Sequence, residues 1–366
     1  MKHLNKVLAI STLLIASAAH AQTTQKLSTG KNNEYGLTYS LPTTAVDVTF
    51  EVRHRVSVPG EFYNYAKRYL DIDNVIVEPS QECEIIGVVV IPRGIANPND
   101  LWLAKFKNGS TVSMTLTDSD IPLAINLEEV TEPSTPELPK AIPAKPTPLE
   151  TPEARQAVTQ EMSASSSLSQ KARLAAQRIF ELRESRNELL GGAAENMPPD
   201  GKAMELVLAN IAAQEAALTA MFTGTVSEYT TVRTVTYTPR KDDLEPTVIA
   251  RLSPRDGIID ANDLRGEPIK LALSEIIEGK LPVNEKGVTK TFPKGGVAYT
   301  IPGSATATIS IEGRTLASKP LEISQFGVVF GLDPALFSDK KAPSFVEFSP
   351  LTGSIVRIGS VSELEK

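Results

Sequence analysis

Apolar and polar residues alternate from Tyr35 to Leu41 and again from Val46 to Val58, with β-branched and aromatic residues at the apolar positions. A period of two on such residues predicts two strands. Pro59-Gly60 ends the second. Phe62, Tyr65, Ala66 and Tyr69 then recur at helical spacing, predicting a short amphipathic helix over Glu61 to Leu70. Ile85 to Ile91 is an unbroken apolar run, suited to a strand buried on both faces. Leu101 to Leu116 reads as a hairpin around Asn108-Gly109. A three-residue loop, Lys107-Asn108-Gly109, keeps Lys105 off the apolar face and places Trp102, Ala104 and Phe106 on it, so a bulged turn is expected.

The pattern changes at Glu132 to Pro152, where proline recurs every few residues. Proline withholds backbone donors and blocks helix, leaving polyproline II or disorder. Such a linker could bridge roughly 60 Å at ~3.1 Å per residue, or lie along the surface. Thr151-Pro152 is a helix start. After a serine-rich stretch, Ala172, Ala175, Ile179, Leu182, Arg186 and Leu189 form a heptad stripe with one polar member. Gly191-Gly192 stops it. Asp200 is placed to cap a second helix carrying Met204, Val207, Ile211, Gln214, Leu218 and Met221 at the same spacing, ended by Gly224. Folded back, the stripes match: Leu189 with Met204, Leu182 with Ile211, Ala175 with Leu218. An antiparallel helical hairpin is the expectation.

Strand signals return from Val226 to Tyr237 and continue in short segments to Ile358, punctuated by glycine and proline. Tyr39-Ser-Leu-Pro-Thr-Thr-Ala45 and Tyr299-Thr-Ile-Pro-Gly-Ser-Ala305 share a pattern of strand, proline turn and strand. The fold class expected is α+β, mostly β, with two antiparallel β-sandwich-like regions flanking the helical hairpin. The boundaries run 1–21 for a signal peptide, 22–130 for the first β region and 131–152 for the proline-rich linker. The hairpin then takes 153–224 and the second β region 225–366.

Charge and composition narrow the chemistry. Lys2 and Lys6, the apolar core Val7 to Ile15, and Ala19-His20-Ala21 are the three parts of an export signal, with Gln22 as the expected new N-terminus. The apolar core is shorter than the roughly 20 residues a spanning helix needs. No later run reads as membrane-spanning, so an exported protein, periplasmic or outer-membrane associated, is expected. The net charge of −7 argues against nucleic acid, whose phosphates need a basic face. The one cysteine, Cys83, lies in a strand-like run between two glutamates, which disfavour its thiolate. His54 is the only histidine beyond the signal, so neither the usual zinc ligand sets nor a histidine-based triad is suggested. Asp256 to Asp263 looks like a calcium loop, but Leu264 and Leu271 stand where ligands are required. No cofactor and no catalytic residue is assigned. A pair of carboxylates would suffice for a glycosidase, although aromatic residues for sugar stacking are scarce.

Three helical-region segments carry a family resemblance: Ile179 to Leu190, Ala194 to Gly201 and Gln214 to Gly224. So do Tyr35 to Pro42, Pro59 to Ala66, Gln325 to Leu332 and Thr352 to Ile355. Together they resemble an exported bacterial family catalogued as domain of unknown function 4831. The resemblance implies export and supplies no activity. The reading is therefore a non-catalytic binding or assembly protein of the envelope, its partner an envelope protein or a glycan. A carboxylate-dependent glycan hydrolase is the alternative. The docking residues expected are Arg183, Arg186, Asn196 and Asp200, at the tip of the hairpin, where Arg186 interrupts the apolar seam.

Overall fold

The computed structural model describes residues 37–104, 112–130, 136–195, 201–243, 245–339 and 341–363. Its spine is β1 (Leu37–Val58), one continuous strand where the sequence predicts two. Pro42 does not end it. The ladder to β2 (Ser80–Ala104) shifts register between Ser40 and Pro42, and a strand tolerates proline at such an irregularity. Pro302 likewise sits inside the continuous β9 (Val297–Ile311), so the two matching proline motifs are strand interiors rather than turns.

Alternation along β1 builds the main core. Val46, Val48, Phe50 and Val52 all point to one side and are buried, and His54 takes the next position on that face. β1 lies between β2 and β5 (Thr225–Tyr237), antiparallel to both. The five-stranded sheet runs in the order β10 (Arg314–Leu332), β9, β8 (Glu267–Ile277), β6 (Thr247–Ser253), β7 (Gly257–Asp260). Its Ile249, Ile269, Leu271, Ile309 and Ile323 share one core with the β1 residues. Each such side chain contributes about 1.5–3 kcal/mol on burial. A third sheet, ordered β12 (Ile355–Ser360), β11 (Ser344–Phe348), β4 (Pro122–Ile125), β3 (Met114–Leu116), packs around Tyr39 and Leu41 at the other end of β1. The Tyr39 hydroxyl donates to Ala298 O at 3.0 Å there.

The strand pairing bears on two points about the β regions. Strand pairing crosses between the stretches before and after the helices: β1 pairs with β5, and β4 with β11. The hairpin expected over Leu101 to Leu116 does not form either. Leu101 to Ala104 pair with Leu37 to Ser40, and Met114 to Leu116 pair with β4. Its turn, Lys107 to Gly109, lies outside the described residues, as do the signal peptide and Gln22.

The chain between the β stretches makes α2 (Pro152–Ala157), α3 (Gln160–Ala164), α4 (Leu168–Gly191) and α5 (Lys202–Thr223). α1 (Ala66–Leu70) and a 3-10 turn at Tyr63–Tyr65 fill the place of the helix expected near Glu61. Ala172, Ala175, Ala176, Ile179 and Leu182 of α4 are buried with Leu218 and Phe222 of α5, and Phe62 and Ala66 close this core. α4 ends where glycine permits it, with Gly192 at φ 69°. The N-cap of α5 is Gly201, not the expected Asp200. The described part of the proline-rich segment lies on the fold rather than bridging away from it. Thr230 N–H donates to Ile142 O at 2.9 Å, and Ile142 N–H donates to Thr230 Oγ1 at 2.9 Å, so the segment shields the free edge of β5.

Candidate functional site

α5 is long and apolar enough to cross a membrane by length and composition, which a search for unbroken apolar runs misses because Glu205, Asn210, Gln214 and Glu215 interrupt it. Only 22% of that apolar stretch is buried. α4 and α2 cover part of it, and the remainder borders an open groove of about 590 Å³. Ala212, Ala216, Thr219 and Thr223 of α5 line the groove together with Pro148 and Val226.

Arg183 and Arg186 stand at this groove on α4, and both reach Glu215 of α5. Arg183 Nε donates to Oε1 at 2.6 Å and Arg186 Nη1 donates to Oε2 at 2.8 Å. Glu215 keeps only 14% of its side chain exposed, against 39% and 37% for the arginines. One carboxylate thus carries two guanidinium groups, leaving the cluster with net positive charge. Arg183 also lies over the Phe180 ring, 5.8 Å from its centroid. The carboxylate that answers Arg186 comes from the other helix. Glu215 directly follows Gln214 of the apolar stripe, so its place beside the seam was the available signal.

Asn196 and Asp200 lie outside the described residues. Nearest to them in sequence, the chain exposes apolar side chains. Leu190 at the end of α4 is 66% exposed, and Leu206 and Val207 in the first turns of α5 are 64% and 38% exposed. Val207, expected in the seam, is therefore outside it.

A second cluster joins residues the sequence keeps apart. Cys83 and His54 are paired positions of β2 and β1, and Cys83 Sγ lies 3.0 Å from His54 Nδ1. His54 Nε2 is 2.8 Å from Thr231 Oγ1 of β5, and the ring stacks on Tyr229 at 4.5 Å and 2°. Gly257 of β7 roofs the ring so closely that a Cβ there would be 2.9 Å from His54 Cε1. Burial pushes the His54 pKa down. Burial also pushes the Cys83 thiol up, and Asp256 adds to this while a hydrogen bond from Gly257 opposes it. Both directions favour a neutral thiol beside a neutral imidazole, a pair suited to packing rather than to supplying a thiolate.

The stretch resembling a calcium loop forms β7 and a turn. Its carboxylates face arginines: Asp260 pairs with Arg233, and Asp263 with Arg265 at 2.6 Å. The Arg265 hydrogen bond holds the Asp263 pKa at about 2. Among the described residues no group of three or more His, Cys, Asp and Glu side chains is arranged to hold a metal ion.

The family model described as "Domain of unknown function (DUF4831)" matches residues 35–356. The chain belongs to this family. No curated protein and no solved structure matches it. The matched range of this DUF4831 chain takes in both long helices and every strand but the greater part of β12.

Proposed function

We propose that this protein is exported and acts in the envelope as a non-catalytic binding or assembly protein, docking a partner protein at the free end of α4 and α5. On this reading the two helices form an antiparallel hairpin, and the sheets containing β1 and β9 form a sandwich that carries it. The observation that carries the reading is the exposure of Leu190 at the end of α4 and of Leu206 and Val207 in the first turns of α5. Large exposed apolar side chains favour a protein partner over a glycan. The arginines then serve a different purpose from the one the sequence suggests: Arg183 and Arg186 lock α4 to α5 through Glu215 and orient the docking end. The hydrolase alternative gains nothing from this groove, because its one lining carboxylate is held by two cations.

The test compares Leu190→Glu with Leu206→Glu against Leu264→Glu, a control at a 79% exposed leucine elsewhere. Partner crosslinking in intact cells should be lost in the first variant and kept in the second, with unchanged melting for both. Equal crosslinking by both variants overturns the reading. Export itself is tested by mass spectrometry of the cell-envelope protein, which should begin at Gln22.

A further inference from the structure

From the last two residues of β8 toward β9 the chain makes a solvent-facing excursion, residues 276–294, whose two feet are fixed. At the first, Gly279 N–H donates to Phe326 O at 3.0 Å. A Cβ on Gly279 would fall 2.3 Å from Ile301 O, so the backbone is pressed against β9. At the second, Phe292 stacks on Trp102 at 5.7 Å and meets Phe330 edge-on at 6.2 Å. Its middle is a closed turn. Gly287 N–H donates to Asn284 O, Asn284 Oδ1 accepts from Lys286 and Val288 N–H, and Val283 bridges to Thr289.

A shape held this firmly would ordinarily turn polar residues to water. Instead Ile277, Val283 and Val288 are 64%, 56% and 60% exposed, with Ile276, Leu281 and Phe292 exposed beside them. Interleaved are Lys280, Lys286, Lys290 and Lys294 against two glutamates, in a chain of net charge −7. None of these lysines belongs to an ion pair among the described residues. Uncovered apolar side chains alternating with unpaired lysines match the boundary of an anionic bilayer, where the apolar groups enter the acyl edge and the ammonium groups meet phosphates.

We propose that the 276–294 excursion is a docking element for an anionic lipid surface. Its apolar residues insert shallowly, and Lys280, Lys286, Lys290 and Lys294 hold the headgroups. Exposed apolar residues recur from Ile276 to Phe292 with lysines between them, a spread along the chain that favours a lipid surface over an acidic protein. The inference is independent of docking at the helices.

The experiment is sedimentation of the chain from Gln22 onward, which retains every described residue, with vesicles of phosphatidylglycerol or of phosphatidylcholine. Binding to phosphatidylglycerol and not to phosphatidylcholine is expected, weakening with salt. Val283→Asp with Val288→Asp should abolish it. Glutamine at all four lysines should weaken it at least tenfold, each lysine near a surface being worth roughly fivefold. Leu190→Glu with Leu206→Glu should leave it intact. Absence of a phosphatidylglycerol preference, retention of binding in the valine variant with unchanged melting, or loss of binding in the helical variant overturns the proposal. Capture of an acidic protein by the excursion without vesicle binding also overturns it.

Discussion

His54 Nδ1 lies 3.0 Å from Cys83 Sγ across the β1–β2 ladder, joining the histidine of the folded region to the chain's one thiol. The histidine occupies the face that Val46 to Val52 use for the core and is 3% exposed. Burial lowers its pKa below the ordinary 6.5. The unfolded chain therefore takes up a proton near pH 6.5 that the folded chain still refuses. The stabilisation is complete above about pH 6.5 and declines as pH falls toward the folded value. Around the ring stand Cys83, Tyr229, Thr231 and the turn bearing Asp256 and Gly257. Melting temperature should fall as pH drops below about 6.5, above most carboxylate titrations, and His54→Gln should flatten that slope. An identical slope in both proteins would remove His54 from the account.

Cys83 should be slow to alkylate. Its raised pKa leaves little thiolate at pH 7.5, so iodoacetamide should modify the native protein well below the rate of the same chain in denaturant. A native rate above the denatured one would show that His54 activates the sulfur.

Glu215→Gln should destabilise the protein by about 1 kcal/mol, read as a shift in urea midpoint, because two half-exposed arginines lose their shared partner. Arg186→Gln should cost less, since Arg183 still neutralises the carboxylate. Replacing both arginines by glutamate gathers three carboxylates and should cost most. Charge reversal here is therefore a stability variant and not a clean probe of docking.

Gly257→Ala should cost more than Gly287→Ala. Both glycines hold left-handed backbone, at φ 73° and 75°, and alanine pays about 1–2 kcal/mol for that alone. At Gly287 nothing lies within 4 Å of the added carbon, whereas at Gly257 it meets the His54 ring. The difference between the two melting shifts measures that contact.

What was legible in the sequence was local. The stripe from Ala172 to Leu189 names the buried face of α4 because helical spacing repeats every turn, and Gly192 and Gly224 mark ends that need their backbone freedom. The alternation of Val46 to Val52 likewise gives the buried face of β1. What lay beyond reach was partnership. The alternation that places His54 on a face does not say that Cys83 stands opposite, because that depends on the β1–β2 register and on the irregularity between Glu51 and Val52. Arg186 reads as a flaw in a seam until Glu215 is brought from the other helix. The strand that starts at Gly257 carries no sequence signal of its own, since four residues are too few to show a period.

Pairing of Val58 with Thr225 has a consequence for the order in which the molecule can assemble. β1 and β2 are close in sequence and can zip together early, but the other edge of β1 waits for a strand that follows α5. A chain emerging from its N-terminus therefore carries a long, apolar, half-paired strand throughout synthesis of the helices. α4 and α5 shorten that wait. In the folded chain Gly224, at the end of α5, sits so close to Val58 that a Cβ would lie 2.5 Å from its O, so a formed α5 would hold the start of β5 against the end of β1. The helical segment thus acts as a clasp that converts a distant closure into a near one.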